Sequence, residues 1–217
     1  MTDIIKKIEE KFGEMMVIRG KKHVFLGMNI DFHEDGTATI KMKEYIKEAI
    51  NNIGQDITQS ATNPAKRNLF EIDENSGDLT EQDHDTFYSV IAKLLYVSIR
   101  ERLDILLPIA FLCTRVACST KQDWAKLTHI LEYLHGTINE LLTLSANDIG
   151  KMKTWVDASY ANHRDMKSHT GGVISFGQGA TMSKSGKHKI NTQSSTEAEL
   201  VGVSDFISFP IWAKKFL

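Results

Sequence analysis

Between Thr80 and Gly136 the apolar residues recur at helical spacing almost without a break, and no other stretch constrains the fold as strongly. Phe87, Val90, Ile91, Leu94, Leu95 and Ser98 define one face of a first helix. Thr80 precedes it as an N-cap, and the charge of Glu81 suits the positive end of the helix dipole. A second helix is expected over about residues 103–117, with Pro108 early in it. A third covers 121–135, where Trp124, Leu127, Ile130, Leu131 and Leu134 share a face and Gly136 ends the run. Three helices of this kind must bury their apolar faces against one another or against a neighbouring layer.

The flanks read differently. Residues 3–12 form a short amphipathic helix with Ile4, Ile5, Ile8 and Phe12 on one face. One strand is expected from His23 to Phe32 and a second from Thr37 to Met42, joined by a turn at Glu34-Asp35-Gly36. Lys43 to Ile53 is a short amphipathic helix, and residues 54–79 are a loop broken by Asn63-Pro64, Asn75, Gly77 and Asp78. Near Gly150 the period changes from helical to alternating. Residues 152–160, 171–177 and 179–185 read as three strands, the last two joined at Gly177-Gln178-Gly179. Glu197 to Phe209 reads as a helix. A meander followed by a helix, after a helical block, gives an α+β fold.

The formal net charge of -2 over 217 residues hides an asymmetry. Residues 61–150 carry 8 basic and 13 acidic side chains, whereas residues 151–217 carry 9 and 5. The basic end could meet a polyanion or form a solvated face. Two cysteines, Cys113 and Cys118, exclude a disulfide framework and fit a reducing, intracellular setting, cytoplasmic or nuclear. The charged start from Met1 to Gly13 lacks the apolar core of a signal peptide. The most apolar run, Ile105 to Cys113, is half the ~20 residues of a membrane span, so no membrane partner is expected.

Two carboxylates invite chemistry. Asp157 lies inside a strand, where Asp is depleted, so it is either a metal or acid–base group or a strand-end carboxylate facing water. Glu199 shares a helical face with Val203 and Phe206, a costly place for a charge unless it is paired, protonated or metal-bound. Ser194 and Glu197 fit a capping box, but so do Thr196 and Glu199, so both assignments stay open. A strand Asp facing a helix Glu would suit Mg²⁺ or Mn²⁺. Two carboxylates are too few to hold two such ions well. Lys184, Lys187, His188 and Lys189 form a basic cluster that suits a phosphate contact or a solvated turn equally. His163 and His169 read as loop histidines. No zinc spacing, phosphate loop or nucleophile elbow is present.

Several motifs together resemble one family. Val24-Phe25-Leu26-Gly27-Met28-Asn29-Ile30 resembles the FLGxxI strand of copia-type retrotransposon reverse transcriptases. Tyr88 to Tyr96 resembles their YRxxIGxLLY helix, and Arg102-Leu103-Asp104-Ile105 their RPDI, with Leu103 in place of Pro. Trp124 to Thr137 resembles their HWxAxxRILRYLxGT segment. Asp157-Ala158-Ser159-Tyr160 resembles the DADWA that opens the ribonuclease H domain, and Ser194 to Glu199 its SSTEAE signature. The motifs fall in the family's order and span nearly the whole chain.

The resemblance implies that residues 1–60 are the end of a reverse-transcriptase palm with a primer-grip hairpin. Residues 61–150 would be helical thumb or connection, and 151–217 a partial ribonuclease H-like fold of three strands and a helix. It implies Asp157 and Glu199 as catalytic, metal-binding carboxylates for Mg²⁺ or Mn²⁺. It implies Phe25, Leu26, Gly27, Lys184, Lys187 and Lys189 as contacts to an RNA–DNA hybrid or primer-template. The departures are as informative. There is no Asp-Asp dipeptide for polymerisation, and the family's later ribonuclease H carboxylates have no counterpart before Leu217. The expectation is therefore a Pol fragment without polymerase activity and with absent or weak hybrid cleavage. The alternative is a non-catalytic nucleic-acid-binding or protein-interaction module. Pro210 falls where the last helix should continue, and Ile211, Trp212, Phe216 and Leu217 beyond it could pack on the sheet or mark a self-association surface.

Overall fold

The computed structural model describes residues 2–217 and opens with α1 (Thr2–Phe12). This helix is amphipathic as its sequence implies, yet Ile4 and Phe12 remain exposed. Three antiparallel strands follow: β1 (Lys22–Phe25), β2 (Met28–Phe32) and β3 (Ala38–Lys41). The single strand expected from His23 to Phe32 is thus two strands. Phe25 pairs with Met28 across a two-residue turn in which Leu26 (φ 50°) and Gly27 (φ 78°) are both left-handed. Such a turn matches the twist of the flanking strands, and it overrides the apolar run that reads as continuous strand. The second turn lies where expected, with Asp35 accepting from the Thr37 N–H at 3.0 Å and Gly36 at φ 82°.

α2 (Lys43–Asn52) buries Ile46 and Ala49 against a helical block made of α3 (Glu81–Arg100), α4 (Leu106–Cys113) and α5 (Lys121–Gly136). Phe87, Leu94, Ile109, Leu112, Leu127 and Leu134 are among its fully buried residues. Thr80 caps α3 by accepting from the Asp83 N–H. Thr120 and Asp123 form a reciprocal capping box on α5. The helix expected over 103–117 is shorter, because tight turns at Leu103–Ile105 and Val116–Cys118 flank α4. Pro108 sits in the first turn of α4, where its missing N–H has no helical partner to lose. α4 is apolar all round; most of it is covered by the helices and the second sheet, while Leu107 stays 42 % exposed.

One buried charge stands out in this core. The Glu101 Oε2 accepts the Met42 N–H at 2.9 Å, while Oε1 has no partner. Burial pushes its pKa up to about 7, against the opposing effects of that hydrogen bond and of Arg102. Arg102 itself forks onto Asp104 and donates to the Thr137 carbonyl at 3.0 Å, tying the start of α4 to the end of α5.

β4 (Leu142–Leu144) joins the free side of β3, giving a sheet of order β1-β2-β3-β4. Three residues are too few to show a strand period, so sequence patterning does not reveal it. The second sheet is the expected antiparallel meander of β5 (Lys153–Ser159), β6 (His169–Ser175) and β7 (Met182–Lys187). Ser145, just past β4, exchanges hydrogen bonds with Gln178 in the β6–β7 turn and so links the two sheets.

α6 (Ser195–Phe206) and α7 (Ser208–Phe216) replace the single helix expected over 197–209. The break at Ile207 places Pro210 in the first turn of α7, where it is tolerated rather than disruptive. Ile211, Trp212, Phe216 and Leu217 stay exposed, at 50 to 76 % of their surface.

Candidate functional site

Strand alternation assigns each residue of the second sheet to one of two faces. The register pairs Val156 with Gly172 and Ala158 with Thr170. A Cβ added at Gly172 would lie within 2.6 Å of the Phe206 ring, and one at Gly202 within 3.3 Å of Ala158. This face therefore meets α6. The other face carries Trp155, Asp157, Ser159, His169, Gly171 and Ser185. It lines an open cleft of about 600 Å³ whose far wall is Phe70, Leu103, Leu106 and Leu107.

Asp157 and Glu199 consequently start from opposite sides of β5. Asp157 is exposed on the cleft face, paired in register with Gly171. Glu199 is carried by α6, whose buried stripe is Ala198, Gly202 and Phe206. Val203 is 45 % exposed, so the face shared by Glu199, Val203 and Phe206 is not the packed face that its composition suggests. Glu199 lies on the flank of the stripe, half-buried, and its charge needs no metal to be tolerated. The capping ambiguity resolves onto Ser194 and Glu197: the Glu197 N–H donates to Ser194 Oγ, and Glu197 Oε2 accepts the Gln193 N–H. Among the described residues no three His, Cys, Asp or Glu side chains are grouped to share a metal ion.

Of the two expected loop histidines, His163 does lie in the loop between β5 and β6, whereas His169 opens β6; both are buried. His163 and His169 are 4 % and 3 % exposed, with Nε2 of the first 3.0 Å from Nδ1 of the second. Phe70 meets both rings edge-on, and Phe111 stacks on His163. His169 Nε2 lies 2.7 Å from Ser185 Oγ. Burial lowers both pKa values to about 4, helped at His163 by the Lys187 charge and at His169 by His163. The pair fastens the second sheet to the helical block. No spacing in the sequence signals it, because its partners Phe70 and Phe111 are distant along the chain.

The basic cluster is largely engaged. Lys184 donates to the Asp205 carbonyl at 3.1 Å and lies over the Phe209 ring. Lys187 pairs with Asp165 at 2.7 Å. Lys189 is exposed, and among the described residues it is the member of this trio with neither a hydrogen bond nor an ion pair.

At the far end of the first sheet, Val24, Phe25 and Leu26 are exposed at 59 to 75 %. Leu26 holds a left-handed conformation that costs a branched L-residue about 1–2 kcal/mol. The Tyr96 hydroxyl donates to the Leu26 carbonyl at 2.7 Å, and the Tyr45 ring lies against Gly27. Tyr45 of α2 and Tyr96 of α3 therefore clamp a strained turn whose apolar side chains project into solvent. The sequence marks the tip residues but not the tyrosines that hold them.

No family model matches the chain. No solved structure matches it either. Among curated proteins, the chain is 30 % identical over 132 residues to a retrovirus-related Pol polyprotein from the Nicotiana tabacum transposon TNT 1-94. That match covers 60 % of this chain and 10 % of the relative, so the chain spans about a tenth of that polyprotein. An uncharacterised mitochondrial protein of Arabidopsis thaliana is 28 % identical over 183 residues, 83 % of this chain and 73 % of the relative. A Saccharomyces cerevisiae protein ascribed to transposon Ty5-1 is 26 % identical over 192 residues, 87 % of this chain and 61 % of the relative. The similarity supports derivation from a retrotransposon Pol polyprotein.

Proposed function

We propose that this chain is a copia-type Pol segment, from the end of a reverse transcriptase into the start of a ribonuclease H, that contacts RNA–DNA hybrid or primer-template without cleaving it. The observation that carries the contact is the hairpin tip. Phe25 and Leu26 are exposed on a turn whose backbone strain is held by Tyr96. Strain maintained by surrounding structure is a mark of sites with a task. An apolar tip of this kind can pack on a sugar or base face, while cations such as Lys189 supply a phosphate contact. Lys184 and Lys187 would contribute field rather than direct contact, since their ammonium groups are occupied.

The absence of cleavage is supported by the placement of Asp157 and Glu199. Hydrolysis of a phosphodiester by two ions about 4 Å apart needs converging oxygen ligands. Here the two carboxylates start from opposite sides of β5, and among the described residues no group of three His, Cys, Asp or Glu side chains converges. A fluorescence-anisotropy titration of a labelled RNA–DNA hybrid tests the contact. Binding that weakens as salt is raised from about 50 mM is expected, because phosphate contacts release counterions. Replacing Phe25 and Leu26 with Ser should weaken it further. Absence of binding at about 50 mM salt would exclude the reading.

A further inference from the structure

The apolar packing of the chain falls into two parts. The core of the helical block includes Phe70 and Phe111, and among the described residues it takes nothing from the second sheet. The second sheet has its own core with α6, made of Ile174, Ala198 and Phe206, and Gly172 and Gly202 allow the close approach. His169 projects from the other face of that sheet, and with His163 it joins the two parts. Phe70 meets both rings edge-on, Phe111 stacks on His163, and the two imidazoles stack on each other.

The surroundings of this joint reject positive charge. Lys187, His188 and Asp165 are the charged or titratable neighbours of His163, and Asp165 is engaged by Lys187 at 2.7 Å. His169 faces His163, His188 and the Ser185 hydroxyl. Lys126 sits over the Phe111 ring, and Arg164 pairs with Glu74 across the joint at the surface. Asp157 shares the cleft face with His169 but lies two positions further along the sheet, opposite Gly171. Among the described residues neither ring has a carboxylate within ion-pair distance. A proton added to either ring is therefore met by aromatic faces and by cations, and hydration requires the joint to open.

The opposite end of the sheet is tethered. Ser145 and Gln178 exchange hydrogen bonds, and the Asn147 N–H donates to the Phe176 carbonyl at 3.1 Å. This tether lies past the far end of β6, roughly 20 Å from His169 along the strand.

We propose that protonation of the His163–His169 pair releases the second sheet from the helical block, the sheet and α6 turning as a unit about the Ser145–Gln178 tether while both cores stay folded. The device is independent of any contact with nucleic acid. Its pH window follows from the rings. Docked, both titrate at about 4, whereas hydrated histidines titrate near 6.5. The docked form is fully favoured above about pH 6.5 and loses its advantage as pH falls towards 4. Between about pH 7 and pH 5 the ratio of released to docked chains should rise about 20-fold for each ring, or about 400-fold for the pair.

Double electron–electron resonance between two spin labels reads the joint in the full chain. One label is placed on Cys118 of the helical block and the other on Ser204→Cys of α6, both exposed, with Cys113→Ser to keep labelling specific. One distance is expected at pH 7. At pH 5 a second, longer population should appear, with far-UV circular dichroism unchanged. His163→Asn combined with His169→Asn should make the ratio of the two populations independent of pH. Should that double variant fail to fold, each single Asn variant should cut the rise to about 20-fold. A single distance at both pH values overturns the proposal. So does a rise in the variants equal to that of the parent chain, or a loss of circular dichroism that accompanies the change in distance.

Discussion

Acidification should set two buried elements of this protein against each other. His163 and His169 have folded pKa values of about 4, whereas an unfolded histidine titrates near 6.5. Their contribution is fully present above about pH 6.5 and is lost as pH falls towards 4, because only the unfolded chain takes up protons in that window. Between about pH 7 and pH 5 the loss is about 2 kcal/mol for each ring. The geometry adds that the two rings cannot both be charged in the folded chain. With Nε2 and Nδ1 only 3.0 Å apart, one N–H fits between them but two would collide. Glu101 acts in the opposite sense. Its carboxyl titrates near 7 when folded and near 4.5 when unfolded, so the folded chain binds the proton first on acidification. That stabilises it by about 2 kcal/mol over the same interval. The net expectation for wild type is a loss of about 2 kcal/mol from about pH 7 to pH 5. Glu101→Gln removes the compensation, and the loss should grow to about 4 kcal/mol. Replacing both histidines by Asn should reverse the sign and leave a protein that gains stability on acidification. Urea unfolding followed by tryptophan fluorescence at the two pH values measures all three. Equal pH dependence in wild type and Glu101→Gln would refute the reasoning, as would a wild type stabilised at the lower pH.

Two further perturbations test the packing that positions the site. Gly172→Ala should destabilise by about 1–3 kcal/mol in thermal or urea unfolding, because the added methyl has no room beside the fully buried Phe206 ring. Tyr96→Phe should cost about 1 kcal/mol and speed amide exchange in the Leu26 turn, while leaving exchange in the second sheet unchanged.

Much of the frame is legible in the sequence because it is written in periodic patterns. The helical faces of α3 and α5, the Thr80 cap, the Gly36 turn and the β5–β6–β7 meander all follow from spacing and turn chemistry. The turn at Leu26 and Gly27 escaped because a lone glycine after an apolar run reads as strand; its left-handed pair is fixed by the Tyr96 clamp, a contact 70 residues away. β4 escaped because its three residues carry no pattern, and the His163–His169 pair because it forms only when the sheet docks on Phe70 and Phe111. The Glu199 face misled for a related reason. Helical spacing gives neighbours on a helix but not the side that turns to the sheet, and Gly202 rather than Val203 is the residue small enough to approach Ala158 and Thr170.

Contact with hybrid nucleic acid without hydrolysis is decided by a cleavage assay. An end-labelled RNA–DNA hybrid is incubated with the full chain in Mg²⁺ or Mn²⁺, alongside Asp157→Asn. Wild type should cleave no faster than the variant in either ion, because Asp157 and Glu199 start from opposite sides of β5. Robust cleavage by wild type that is abolished by Asp157→Asn would contradict it.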